Sequence, residues 1–294
     1  MTVNSQSLSK EQVLIVGCGD IGTRFAKILP DSFVVTGLRR NPPANTAYLR
    51  YQTCDVTDPQ QLDSILKQSA FDVILVTMTP SAATDAGYAQ AYVQTCKNLT
   101  ASLKAHQRKP RLLVFVSSTG VYGQNDGGWV DENSPTEPDS FSGKRLLEAE
   151  QVILDGGFDS TVVRFSGIYG PGRYRLLDQV LQGRAQLSLQ MTNRIHVDDC
   201  AAVIAHLVGL RQALDAVYIA SDSTAASMAE VVTWLAQQLG VVISVPPESI
   251  AELGNKGSNK CCSNRRLLAS GFVLRYSGYR EGYQELIRDK LKHI

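Results

Sequence analysis

The chain has 294 residues, 44% of them apolar, enough to bury a core in one large domain or two ordinary ones and too many for a disordered chain. Twenty-nine basic against 28 acidic residues leave a formal charge of +1, so no whole-protein field marks nucleic acid or a membrane as a partner. Six cysteines without C-x-x-C spacing and four unclustered histidines predict reduced thiols, a cytoplasmic location and no metal site.

Residues 1–11 read as a frayed polar tail without the apolar core of a signal peptide, and no later run approaches membrane-spanning length. Gln12-Val13-Leu14-Ile15-Val16 then leads straight into Gly17-Cys18-Gly19-Asp20-Ile21-Gly22, and Thr23 to Leu29 follow at helical spacing. This order predicts a buried strand, a tight turn and a helix. Gly17 makes the turn, Gly19 lets the backbone approach a diphosphate, and Gly22 lets the helix lie close on the strand. An anion at such a helix N-terminus meets unpaired N–H groups and the positive end of the dipole.

A second strand over 32–38 ends in Arg39-Arg40, about 20 residues past the glycines. An acidic residue there serves a ribose 2′-hydroxyl, whereas arginine accommodates a 2′-phosphate, so NADP(H) is preferred over NAD(H); the alternative is a merely solvated strand end. Residues 48–56 predict a third strand, and Asp58-Pro59 open a helix over 59–68 with a polar cap and a proline in the first turn. Strands over 72–77 and 112–116 flank one long helix over 84–106. The repeated strand–helix alternation predicts a parallel sheet covered on both faces, with ligands beyond the carboxyl ends of its strands.

A sixth strand spans 160–165, and Arg173, Arg175 and Arg184 follow it as either a diphosphate-binding or a solvated basic face. His196 is expected to order the returning chain, with Asp198 or Asp199 capping a helix over 199–211. A strand over 216–220 precedes Ser227-x-x-Glu230, which matches a capping box for a helix that Gly240 ends. Residues 254–262 read as a polar loop able to cover a pocket, and a disulfide between adjacent Cys261 and Cys262 would be strained. An amphipathic helix over 281–291 closes the chain.

Three motifs and their order carry a resemblance: Ser117-Ser118-Thr119-Gly120-Val121-Tyr122-Gly123, Arg164 through Arg173, and Asn193-Arg194-Ile195-His196-Val197-Asp198-Asp199. With the glycine turn and Ser263 through Phe272, they resemble the extended short-chain dehydrogenase/reductases of the NAD-dependent epimerase/dehydratase family, and most of all its atypical YeeZ-like branch. The resemblance implies an α/β Rossmann fold, a doubly wound parallel sheet over 1–165 with a return segment at 195–220. It also implies a smaller C-terminal α/β substrate lobe from 166–194 and 221–294. It implies cofactor contacts at Gly17, Gly19, Asp20, Ile21, Gly22, Arg39, Arg40, Asp55, Val56 and Lys144.

It further implies that Ser118, or adjacent Thr119, hydrogen-bonds the substrate and that Lys144 bonds the nicotinamide ribose. The family's Tyr-x-x-x-Lys reads Ser140-Phe141-Ser142-Gly143-Lys144 here, so Ser140 replaces the catalytic phenol. A serine hydroxyl is a far weaker acid than a phenol of pKa about 10, and can relay a hydrogen bond but not act alone as base. Tyr122, Tyr169, Tyr174, Asp126, Asp131 and Glu132 stay open as substitutes, the first two expected in packing roles, and Gly127-Gly128-Trp129 reads as a mobile lid. The expected activity is NAD(P)-dependent oxidoreductase or epimerase-like chemistry on a small molecule, with a nucleotide-sugar as the implied class. The alternative is an NAD(P)-binding sensor or scaffold without turnover. Monomer and homodimer are both open, the family's dimers using helices equivalent to 84–106 and 140–154.

Overall fold

The computed structural model describes residues 10–242 and 258–291. From the N-terminus, β1 (Glu11–Val16) is followed by α1 (Asp20–Ile28), β2 (Phe33–Arg39), β3 (Arg50–Thr53), α2 (Pro59–Gln68) and β4 (Val73–Val76). Val13–Val16 and Val73–Val76 are fully buried, as strands covered on both faces must be. Later come β5 (Leu112–Ser118), β7 (Ser160–Phe165) and β11 (Val217–Ala220), and the seven strands form one sheet in the order β11-β7-β5-β4-β1-β2-β3. The pairs β1–β2, β1–β4, β2–β3 and β4–β5 are parallel. The fold is therefore the expected Rossmann type, with strand order reversing between β1 and β4, where such sheets open a ligand crevice.

Two predicted elements differ in extent. The third strand stops at Thr53, because the Asp55 carboxylate accepts bonds from the Thr57 N–H (3.0 Å) and hydroxyl (2.7 Å) and turns the chain. The long helix is instead α3 (Asp85–Tyr88), a π-helical stretch (Ala89–Gln94) and α4 (Thr95–Ala105). At the wider turn, Thr95 Oγ1 bonds the carbonyl of Gln90, five residues back, and Tyr92 OH donates to the Met78 carbonyl at 3.2 Å. At α2 the expected cap is present, with Asp58 accepting from Gln60 and Gln61 and Pro59 in the first turn.

By density of contacts the chain divides into two units, one of residues 1–116, 148–162 and 204–216, the other of 117–147, 163–203 and 217–294. In the first, Glu11 draws Arg111 (2.6 Å) and Arg211 onto the start of β1. The two arginines hold its carboxyl below the usual range against the opposing effect of burial.

The second unit carries three small strand pairs. They are parallel β8 (Gly167–Tyr169) with β10 (Arg194–His196), antiparallel β9 (Met191–Thr192) with β12 (Ala226–Ser227), and parallel β6 (Trp129–Val130) with β13 (Cys261–Cys262). Its core joins Leu177, Val180, Val231, Leu235, Tyr283 and Leu286 from three helices. The helix predicted over 199–211 is α7 (Val197–Gly209). Near its start His196 Nδ1 accepts the Asp198 N–H at 3.2 Å, and the Asp199 carboxylate accepts the N–H groups of Arg275 (2.8 Å) and Tyr276 (3.0 Å).

α8 (Met228–Leu239) is capped by Ser227 and ends at left-handed Gly240 (φ 66°). Glu230 makes only half of the capping box, its carboxylate turning instead to Tyr279 OH (3.0 Å) and Arg280 (3.2 Å). Of the predicted 254–262 loop, 254–257 lie outside the described residues, while Cys261 and Cys262 are buried strand residues with free thiols. The final helix starts slightly earlier than expected, at Tyr279–Leu291.

Candidate functional site

The carboxyl ends of β1 to β4 surround a cavity of about 360 Å³ in the first unit. Gly17-Cys18-Gly19 line it after β1, Arg39 and Arg40 after β2, Asp55 and Val56 after β3, and Met78 after β4. Gly17 has φ +79°, a conformation L residues avoid, and an added Cβ would stand 2.5 Å from Met78 Sδ. A Cβ on Gly22 would press 2.9 Å from Ile15 Cγ2, which is how α1 lies close on β1. At Gly19 an added Cβ would meet nothing within 4 Å. That open cradle stands at the N-terminus of α1, where no side chain caps the helix. A helix lacking a side-chain cap presents its first-turn N–H groups to an anion, so these residues fit the diphosphate of a dinucleotide.

The other predicted contacts sort by place. Arg39 and Arg40 are exposed at the cavity and carry positive charge into it. Asp55 lines it with its carboxylate committed to Thr57. Asp20, Ile21 and Gly22 do not line it: Asp20 pairs with Arg24 Nε at 2.8 Å, and Ile21 and Gly22 are buried against the sheet. Sequence reasoning missed Met78 through Ser81 and Gln90, which also line the cavity; the end of β4 beside the switch point was the available signal.

In the second unit, Ser118 ends β5, and its Oγ accepts the Gly120 N–H at 3.1 Å. The bond uses an oxygen lone pair and leaves the hydroxyl proton free to be donated. Thr119 is buried, so of the two alternatives Ser118 is the accessible one. α5 (Phe141–Leu154) packs directly on this turn, since a Cβ on Gly143 would lie 2.5 Å from the Gly120 carbonyl. Ser140 stands just before that helix and caps it, its Oγ accepting the Gly143 N–H at 3.1 Å and pairing with Ser142 Oγ at the same distance. Lys144 follows one residue after Gly143.

The six side chains expected as substitutes for a phenol at Ser140 all have local duties. Tyr122 OH accepts from Arg164 at 2.7 Å, and Tyr169, buried and stacked on Tyr283 at 4.5 Å, is pushed up in pKa by desolvation. Tyr174 lies under the Lys290 ammonium at 5.2 Å. Asp126 accepts the Gly128 N–H at 2.9 Å, Asp131 that of Asn133 at 2.9 Å, and Glu132 that of Ile219 at 2.8 Å.

Gly127-Gly128-Trp129 is stitched to the C-terminal strand: Gly127 N–H donates to the Asn259 carbonyl and Cys261 N–H to that of Gly128, both at 2.8 Å. Sequence reasoning gave no role to Lys260, a buried ammonium that donates to the Tyr122 carbonyl at 2.8 Å and whose pKa desolvation lowers. Nothing in a polar stretch read as loop marked it. Arg173, Arg175 and Arg184 share an open cavity of about 590 Å³ with Tyr174 and Asp178.

Among the described residues no group of side chains is arranged to hold a metal, and no helix is long and apolar enough to cross a membrane. The family model described as NAD dependent epimerase/dehydratase family matches residues 13–220. A Methylobacillus flagellatus protein described provisionally as an NAD-dependent epimerase/dehydratase is 36% identical, with 97% of this chain and 99% of that one covered at a TM-score of 0.80. MoeE5, solved in complex with UDP-glucuronic acid and NAD, is 22% identical over 92% of this chain and 96% of its own, at 0.76. The DesIV double mutant, a dTDP-glucose 4,6-dehydratase from Streptomyces venezuelae with NAD and DAU bound, is 19% identical over 95% and 96%, also at 0.76. At such identities the last two share the fold. No curated protein matches the chain. The family model covers well over half of the sequence, and the chain belongs to the NAD dependent epimerase/dehydratase family.

Proposed function

We propose that the protein is a nicotinamide-dinucleotide-dependent oxidoreductase of the epimerase/dehydratase type, with NADP(H) preferred and a nucleotide-sugar as substrate. The observation that carries the reading is the open cradle at Gly19, at the mouth of a helix without a side-chain cap and beside two exposed arginines. A bound nicotinamide supplies a hydride acceptor or donor at its C4. Arg39 and Arg40 bond a 2′-phosphate on the adenine ribose, and the first turn of α1 holds the diphosphate. Ser118 donates a hydrogen bond to the reacting oxygen, and the Lys144 ammonium holds the nicotinamide ribose. Ser140 contributes a hydrogen bond only, since its oxygen already caps α5. The sugar class is supported by the motif resemblance, and it is the class bound by two proteins of the same fold.

One observation favours a second reading, that of a dinucleotide-binding sensor: the residue in the phenol's place is engaged as a helix cap. Fluorescence titration with NADPH and NADH tests the shared step. Saturable binding that prefers NADPH is expected, and no binding of either cofactor overturns both readings. Turnover of a nucleotide-sugar by the wild-type protein then separates enzyme from sensor.

A further inference from the structure

Between the two outer glycines of the turn, the side chain at Cys18 points inward and is almost fully buried. Its Sγ fills space left by two other glycines, for a Cβ would stand 2.7 Å from it at Gly37 and 3.3 Å from it at Gly22. Across that gap Tyr51, paired in register with Gly37 on the neighbouring strand, reaches the turn. Its hydroxyl lies 3.1 Å from Thr23 Oγ1.

The direction of this chain follows from counting protons. Thr23 has one hydroxyl proton, and it is given to the Gly19 carbonyl at 2.9 Å. Tyr51 must therefore be the donor in the Tyr51–Thr23 bond. The Gly19 carbonyl also accepts the Thr23 N–H at 2.9 Å. Gly19 itself has no side chain and nothing near its Cβ position, so a peptide there rotates at small steric cost unless it is held. Turned the other way, its carbonyl would face an anion with the wrong sign of charge.

We propose that Tyr51 is a positioning residue that, through Thr23, locks the Gly19 carbonyl inward and keeps the first turn of α1 presenting N–H groups to a diphosphate. The proposal rests on the dinucleotide reading above and adds what keeps that site preorganised. Each donor in the chain polarises the next, so removing the first hydroxyl weakens the last bond without deleting it.

The test is isothermal titration of the full chain with NADPH, ADP and adenosine, for wild type, Tyr51→Phe, Thr23→Val and the double variant, with melting temperatures alongside. Tyr51→Phe is expected to weaken NADPH and ADP about three- to tenfold, leave adenosine unchanged and melt with wild type. The double variant is expected to bind no more weakly than Thr23→Val, because both changes cut one chain. Unchanged ADP affinity in Tyr51→Phe overturns the inference alone, as does an equal loss for adenosine or simple additivity of the two changes. A wild type that binds neither NADPH nor ADP overturns it together with the dinucleotide reading.

Discussion

Gly17 and Gly19 are two residues apart and should fail in opposite ways when each is given one methyl group. In Gly17→Ala the methyl meets Met78 Sδ at 2.5 Å, a flexible neighbour, but the backbone stays at φ +79°, where an L residue costs about 1–2 kcal/mol. At the size of the first unit that lowers the melting temperature by roughly 2–8 °C. In Gly19→Ala the backbone is extended (φ −92°, ψ −151°), and the methyl has no neighbour within 4 Å. The fold should lose nothing, and reduced freedom of the unfolded chain could raise stability by about 0.4–1 kcal/mol. The same methyl occupies the space a diphosphate needs. Losing one charge-assisted hydrogen bond costs about 1.5–3 kcal/mol, a 10- to 150-fold weaker dinucleotide. Differential scanning fluorimetry and NADPH titration on both variants make the comparison. A Gly19→Ala protein that melts with wild type and binds NADPH equally well refutes the cradle, and one that unfolds refutes the claim that this glycine is kept for a ligand.

Replacing Arg39 and Arg40 together by alanine should erase a preference of about tenfold or more for NADPH while sparing NADH, as read by competitive titration. Ser140→Ala should cost about 1 kcal/mol of stability through the lost cap, measured by urea unfolding, with no change in kcat. Ser140→Tyr pays the same cap cost but places a phenol beside Lys144, and should raise turnover by a detectable part of the 10²–10⁴-fold that acid–base catalysis supplies. Burial holds the Asp222 carboxyl at a pKa of about 7, with Arg194 opposing and Asp199 and Glu281 reinforcing the shift. A folded pKa above the unfolded one favours folding in acid, so stability should fall between about pH 4 and 7, by up to roughly 4 kcal/mol. Asp222→Asn should abolish that slope in urea melts taken across the window.

What the sequence made legible is local. The glycine turn, the Asp58-Pro59 cap and the fully apolar strands each carry their signal within a few residues, and each takes the conformation read from it. The pairing of Trp129–Val130 with Cys261–Cys262 joins segments about 130 residues apart, and no periodicity in a two-residue strand announces it. Lys260 was invisible for the same reason: its burial depends on the Tyr122 carbonyl brought to it by that pairing. At Ser140 the signal was present and outweighed. A serine three residues before a helical N–H is a cap by its chemistry, but the motif register drew it toward catalysis.

A serine where the motif resemblance places a phenol also bears on which chemistry the proposed function allows. Every carboxylate of the 126–132 loop accepts a backbone N–H, and the Ser140 oxygen caps a helix, so each of these acceptors is tied into a local bond. Ser118 Oγ likewise accepts a backbone N–H, and its proton is available to donate. A site whose free groups are hydrogen-bond donors stabilises charge growing on an oxygen but does not remove a proton from one. Under the proposed function, reduction of a carbonyl takes up a proton and oxidation of the alcohol releases one through the same transition state, so a serine in the phenol's place should slow both directions alike, with water as the remaining proton carrier. That limit ties the rate of the chemistry to Ser140, a residue that the fold uses to start a helix.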